Sequence, residues 1–291
     1  MPELPDVELY LSKLRERILG STFTEFKSLN LFVLRSVLPA PASLAGLQVV
    51  GLRRIGKRIV IELEGAAFIV IHLMIAGRLR WGLCGQKLPG GKLVSAILRF
   101  TDASGNCGEV WLTEAGSKKR ASITFVSGEK ELAAIDRGGL EIFDSCLDQF
   151  AAALRKTNQT VKNALVDPVL ISGIGNAYSD EILFEAKLSP LKLTSKLTDE
   201  EISRLFEVTK RVLTIWIDRL AEMFKNKFPG AGDVTAFRPE FAVHGKFGKP
   251  CPVCGKPVNR IRYSDNECNY CAECQNGGKF LADRAMSRLL K

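Results

Sequence analysis

The sequence predicts an α+β protein of several domains, and three observations carry that expectation. Short β-rich runs separated by glycine-containing turns occupy residues 22–126, apolar residues at helical spacing dominate from about 131 to 227, and paired cysteines mark a separate module between 251 and 274. With 46% hydrophobic residues over 291 positions, the chain can bury two modest cores and is too apolar for a disordered protein.

The elements follow in order. Val7, Leu11, Leu14 and Ile18 recur at helical spacing and Gly20 closes the pattern, so the chain opens with an amphipathic helix. The runs at 48–52, 59–63, 68–71 and 96–100 are strands of an antiparallel sandwich or barrel. In the helical region the clearest start is Thr198, which forms a capping box with Glu201 ahead of Ile202, Leu205, Phe206, Val208, Val212, Leu213 and Trp216. A loop-rich stretch reaches Gly248, the cysteine module follows, and a basic tail begins at Lys279.

Lys and Arg total 41 against 32 Asp and Glu, a net charge of +9, and residues 225–291 hold twelve basic and six acidic side chains. A basic C-terminal quarter suits a polyanionic partner, because neutralising phosphates releases counterions; a solvated basic surface accounts for the charge alone equally well. The longest apolar run, 66–71, stops at His72 and is far short of the roughly 20 residues of a spanning helix, and the charged start lacks a signal-peptide core. The expected location is therefore the cytoplasm, without membrane association. For the eight cysteines, a reducing compartment makes metal a better explanation than disulfides for any clustered set.

Cys251-x2-Cys254 and Cys271-x2-Cys274, separated by sixteen residues, have the spacing of a tetrahedral four-thiolate zinc site. Cys268 forms a competing pair with Cys271. Between the pairs lie Asn259, Arg260, Arg262, Asn266 and Asn269, which suit a hairpin laid against nucleic acid. Gly173 and Gly175 open an apolar helical pattern, an arrangement that can face an anion or simply allow a close helix-to-helix turn. Pro2 and Pro5 are, by themselves, ordinary residues of a helix start.

Taken together, residues 1–8 (MPELPDVE), Gly56-Lys57 before a strand, residues 173–178 (GIGNAY) and the paired cysteines resemble the formamidopyrimidine-DNA glycosylase and endonuclease VIII family, in the same order and from Pro2 to Gln275. The resemblance implies an N-terminal β-sandwich with its leading helix, a helix-two-turn-helix domain and a C-terminal zinc-ribbon finger. The corresponding boundaries are 1–130 for the catalytic sandwich, 131–150 for a linker, 151–244 for the DNA-binding helical domain with its lesion-capping loop, 245–278 for the finger and 279–291 for the tail.

The same resemblance implies a bifunctional glycosylase and abasic-site lyase of base excision repair, acting as a monomer on damaged double-stranded DNA near the bacterial nucleoid. Pro2, freed of Met1, would attack the sugar of a flipped nucleotide and form a Schiff base, leading to β,δ-elimination. Glu3 would move protons, and Lys57 would hold a phosphate or assist the sugar chemistry. Glu8 resembles a family carboxylate near the site. Asn176 would bind a phosphate. One structural Zn2+ would sit on Cys251, Cys254, Cys271 and Cys274.

Departures from the family pattern are equally specific. Met74 and Ile75 are both candidates for the residue that fills the gap left by the flipped base. The Arg-Phe pair that reads the opposite base is missing from 112–120. Asn266 stands at the position of the finger's phosphate-gripping arginine, with Arg260 and Arg262 as alternative DNA contacts. These losses leave a competing reading, a non-catalytic or abasic-site-restricted damage binder of the same fold.

Overall fold

The computed structural model describes residues 1–87, 90, 93–116, 118–263 and 266–281, with the side chains of Tyr263 and Asn266 outside that set. The chain forms two compact units, residues 1–137 with 217–235, and residues 138–216 with 236–291. The 137/138 division falls within residues 131–150, a stretch that holds the end of one helix, a 3-10 turn and the start of another, and residues 217–235 cluster with the first unit.

The first unit opens with α1 (Leu4–Ile18), whose predicted face of Val7, Leu11, Leu14 and Ile18 is buried. Eight strands follow: β1 (Thr22–Ser28), β2 (Val49–Ile55), β3 (Arg58–Leu63), β4 (Ala67–His72), β5 (Gly77–Leu83), β6 (Val94–Thr101), β7 (Cys107–Glu114) and β8 (Ser122–Ser127). They form two four-stranded antiparallel sheets, ordered β1-β6-β7-β5 and β2-β3-β4-β8. Two separate sheets decide for the sandwich over the barrel. Ile59, Ile61, Ile69 and Ile71 from one sheet and Leu79, Leu98, Val110 and Leu112 from the other share a core with α1. Alternation puts every second residue inward, and burying each large aliphatic side chain contributes about 1.5–3 kcal/mol. Leu220, Phe224 and Val234 join this core. A short α2 (Glu129–Ala133) follows β8.

One cysteine pair lies outside what motif spacing predicts. Cys84 and Cys107 are joined by a disulfide, with Cα atoms 5.4 Å apart. The cause is register: Leu83 of β5 pairs with Gly108 of β7, and the Cys84 N–H donates to the Cys107 carbonyl at 3.1 Å, so two cysteines without motif spacing meet at adjoining strand ends.

The second unit contains α3 (Leu147–Arg155), α4 (Val161–Val166), α5 (Asn176–Glu185) and most of α6 (Asp199–Met223). The Thr198 capping box is formed: Glu201 N–H donates to Thr198 Oγ1 at 3.3 Å and Thr198 N–H donates to Glu201 Oε2 at 3.0 Å. The finger adds the hairpin β9 (Asn259–Tyr263) and β10 (Asn266–Tyr270), then α7 (Ala272–Asn276). No helix among the described residues is long and apolar enough to cross a membrane.

Candidate functional site

In the first unit, the start of α1 gathers the chemistry. Pro2, Glu3 and Asp6 are buried. Asp6 Oδ2 accepts the Glu3 N–H at 2.9 Å, which fixes the first turn. Pro5 falls in that first turn, where the N–H it lacks would have no helical partner. The chain's terminal amine, on Met1, is held below its ordinary value by burial; Glu3 and Asp6 oppose that effect, while Arg78 and Lys57 reinforce it. The structure thus brings Lys57 into the electrostatic neighbourhood of the N-terminus. Lys57 sits in the two-residue turn between β2 and β3, where Gly56 has φ +60° and its carbonyl accepts from Arg54 Nη1 at 2.8 Å. Arg54 Nε also donates to Glu8 Oε1 at 3.0 Å, so Glu8 is tied to this arginine.

The turn from β4 to β5 separates the two wedge candidates. Met74 is half-buried with φ +52°, whereas Ile75 is exposed at the tip. Gly77 ends the turn because a Cβ there would meet the Leu73 carbonyl oxygen at 2.3 Å. Arg78, which sequence reasoning did not single out, donates from Nη1 to the carbonyls of Ile75 (3.1 Å) and Gly77 (2.7 Å) and from Nε to that of Val234 (2.6 Å). His72, at the end of β4, is paired with Arg58; burial and the nearby cations of Arg58 and Lys57 push it down to about 4.

In the second unit, α5 is buried from Ala177 to Phe184, including Ser179, Asp180 and Glu181. Polar groups so placed need partners. Gly173 has φ +81° in the turn before the helix, a conformation that favours glycine. Asp180 meets Lys162 Nζ through Oδ1, and its Oδ2 pairs with His244 Nδ1 at 2.7 Å and accepts the Asn269 N–H at 3.0 Å. Burial pushes the Asp180 carboxyl up, but Lys162 and His244 outweigh it and hold the group below the usual carboxylate range. Glu181 accepts the amides of Ala242, Val243 and His244 at 2.7–2.9 Å, yet burial leaves it raised.

Lys162 also donates to the Asn176 carbonyl at 2.7 Å, and Asn176 Nδ2 donates to the Glu267 carbonyl at 2.7 Å. The predicted phosphate ligand therefore anchors the finger hairpin to the helix start. Arg260 lies over the Phe247 ring at 4.0 Å and 3.6 Å from Glu267, Arg262 is exposed, and the Asn266 side chain lies outside the described residues.

The sulfurs of Cys251, Cys254, Cys271 and Cys274 lie within 4.8 Å of one another. Zinc–sulfur bonds of about 2.3 Å in a tetrahedron put sulfurs about 3.8 Å apart. The separations of 3.9 Å for Cys251–Cys274 and 3.4 Å for Cys254–Cys271 fit that geometry. Cys268 is outside the set: its thiol is buried against Asp180, and that burial pushes it up.

A two-sheet unit carrying its own N-terminus among acids and cations, and a helical unit with a four-cysteine finger, define the class of fold. Comparison with known proteins gives the family. Residues 1–128 match the formamidopyrimidine-DNA glycosylase N-terminal domain and residues 141–226 the formamidopyrimidine-DNA glycosylase H2TH domain. The formamidopyrimidine-DNA glycosylase of Listeria monocytogenes serotype 4b is 30% identical over 282 residues, covering 94% of this chain and 100% of that protein. An uncharacterized formamidopyrimidine-DNA glycosylase-like protein of Mycobacterium tuberculosis is 39% identical over 153 residues, 53% of this chain and 94% of that protein. Among solved structures, Lactococcus lactis Fpg in complex with abasic-site DNA superposes with a TM-score of 0.81 at 25% identity, covering 94% of this chain and 99% of that one. MutM (Fpg) of Thermus thermophilus gives 0.76 at 27%, covering 94% and 98%. The chain belongs to the formamidopyrimidine-DNA glycosylase family.

Proposed function

We propose that the chain is a DNA glycosylase and abasic-site lyase of base excision repair whose nucleophile is the amine of Pro2 after removal of Met1. The observation that supports the reading is that Glu3, Asp6, Lys57 and Arg78 all act on the terminal amine, which Met1 carries one residue before the buried Pro2. An amine must be neutral to attack, and an α-amino group, with an ordinary value near 8, reaches that state far more readily than a lysine. Pro2 nitrogen bonds to C1′ of an everted damaged nucleotide, the glycosidic bond breaks, and the base leaves with a proton. Ring opening gives an iminium. Loss of a C2′ proton expels the 3′ phosphate, a second elimination expels the 5′ phosphate, and water releases the sugar fragment from Pro2. Glu3 serves the proton transfers, Lys57 holds a phosphate, and Ile75, exposed at its turn, fills the gap left by the everted base.

Damaged duplex DNA is the partner, and the second unit supplies the grip through Asn176, Arg260, Arg262 and the finger, in a protein acting as a monomer. The four thiolates hold one Zn2+, which orders the hairpin and takes no part in the reaction. Incubation with abasic-site duplex and borohydride tests the lyase: a stable adduct is expected from chain lacking Met1. No adduct from correctly processed protein, or an undiminished one from Pro2→Gly with other amines ruled out, overturns the reading.

A further inference from the structure

Residues 228–234 pack within the first unit. The Phe228 ring lies 6.0 Å from that of Tyr10 and 5.2 Å from the Arg17 guanidinium, Asp233 Oδ2 accepts the Gly230 N–H at 2.8 Å, and Val234 is buried in the sandwich core. Polar side-chain contact to this segment from the Ile75 turn comes through Arg78, whose Nε reaches the Val234 carbonyl at 2.6 Å while Nη1 holds the carbonyls of Ile75 and Gly77. One planar guanidinium therefore spans two chain segments beside the N-terminal amine, and its rigid fork suits this better than a single ammonium.

Resting on the amine reading above, we propose that Arg78 is the positioning residue that latches residues 228–234 to the Ile75 turn, and that the latch makes the site selective for a base-bearing nucleotide over a bare abasic sugar. An everted nucleotide lies against the amine with its base against whatever borders that site. The bordering segment contributes affinity only if it is already ordered. A bare sugar has no base to place and depends on the latch less.

Hydrogen exchange on the full-length protein and single-turnover assays on Arg78→Met and Arg78→Lys test the latch and the selectivity. In Arg78→Met, amides of residues 230–235 exchange faster. Excision of oxidised bases falls about tenfold or more relative to borohydride trapping on an abasic duplex, as expected for loss of charged hydrogen bonds. Arg78→Lys, which keeps the charge but not the planar fork, also loses exchange protection. Unchanged exchange in Arg78→Met overturns the latch, and parallel loss of excision and trapping overturns the selectivity. No adduct from the wild-type chain overturns the amine reading and the selectivity with it, while the exchange result still decides the latch.

Discussion

At the scale of single residues, the best-determined groups are buried and charged. Lys162, Asp180 and His244 form a network whose members are all at least nine-tenths buried, so removing one partner leaves a charge without compensation. Lys162→Met is expected to destabilise by about 3–5 kcal/mol in denaturant titration, and adding Asp180→Asn should recover part of that loss. If the double variant is as unstable as the single, the charge pairing is not the cause. His72 gives a pH dependence. Its folded value is lowered from 6.5 to about 4, so the folded state binds fewer protons than the unfolded chain between those values. Stability falls as pH drops through that window and is unaffected by this group above it. A His72→Gln variant should lose up to about 3 kcal/mol less than wild type between pH 7 and 4. Equal acid sensitivity in the two would remove His72 as a contributor.

These residues also show where sequence reading stopped. Lys162, Asp180 and His244 stand far apart in the chain, and their meeting depends on packing that no local spacing encodes. The available signal was three polar residues, 179–181, inside a helix apolar on every side. Arg78 gave no signal because its partners are backbone carbonyls, one of them at Val234.

At the scale of elements, local rules sufficed wherever the partner was local. The face of α1 and the Thr198 capping box follow from spacings of three and four residues, and the four-cysteine cluster follows from paired knuckles. The Cys84–Cys107 disulfide was not legible, since it depends on the register of β5 against β7. The finger has its own test. Cys251→Ser or Cys274→Ser should lower bound zinc, measured by elemental analysis, from one per chain towards zero. Duplex affinity should fall in the same variants while the thermal transition of the sandwich unit stays within a few degrees. Undiminished metal content would contradict the ligand assignment.

At the scale of the whole molecule, composition was compatible with a polyanionic partner and equally with a solvated basic surface, and did not show what is done to a partner. The excess of 41 basic over 32 acidic residues predicts strong salt dependence. Between roughly 50 and 200 mM salt, duplex affinity should fall about a hundredfold, with undamaged and damaged DNA affected alike. A flat salt response would mean that phosphate contacts contribute little. Family membership and the surroundings of the N-terminus turn that general affinity into a chemical claim. The most direct measurement is peptide mass mapping of the borohydride-reduced adduct formed on abasic duplex DNA. The account predicts the sugar remnant on the N-terminal peptide, at Pro2, in chain lacking Met1. A remnant on the Lys57 peptide, or none on a correctly processed chain, would contradict it.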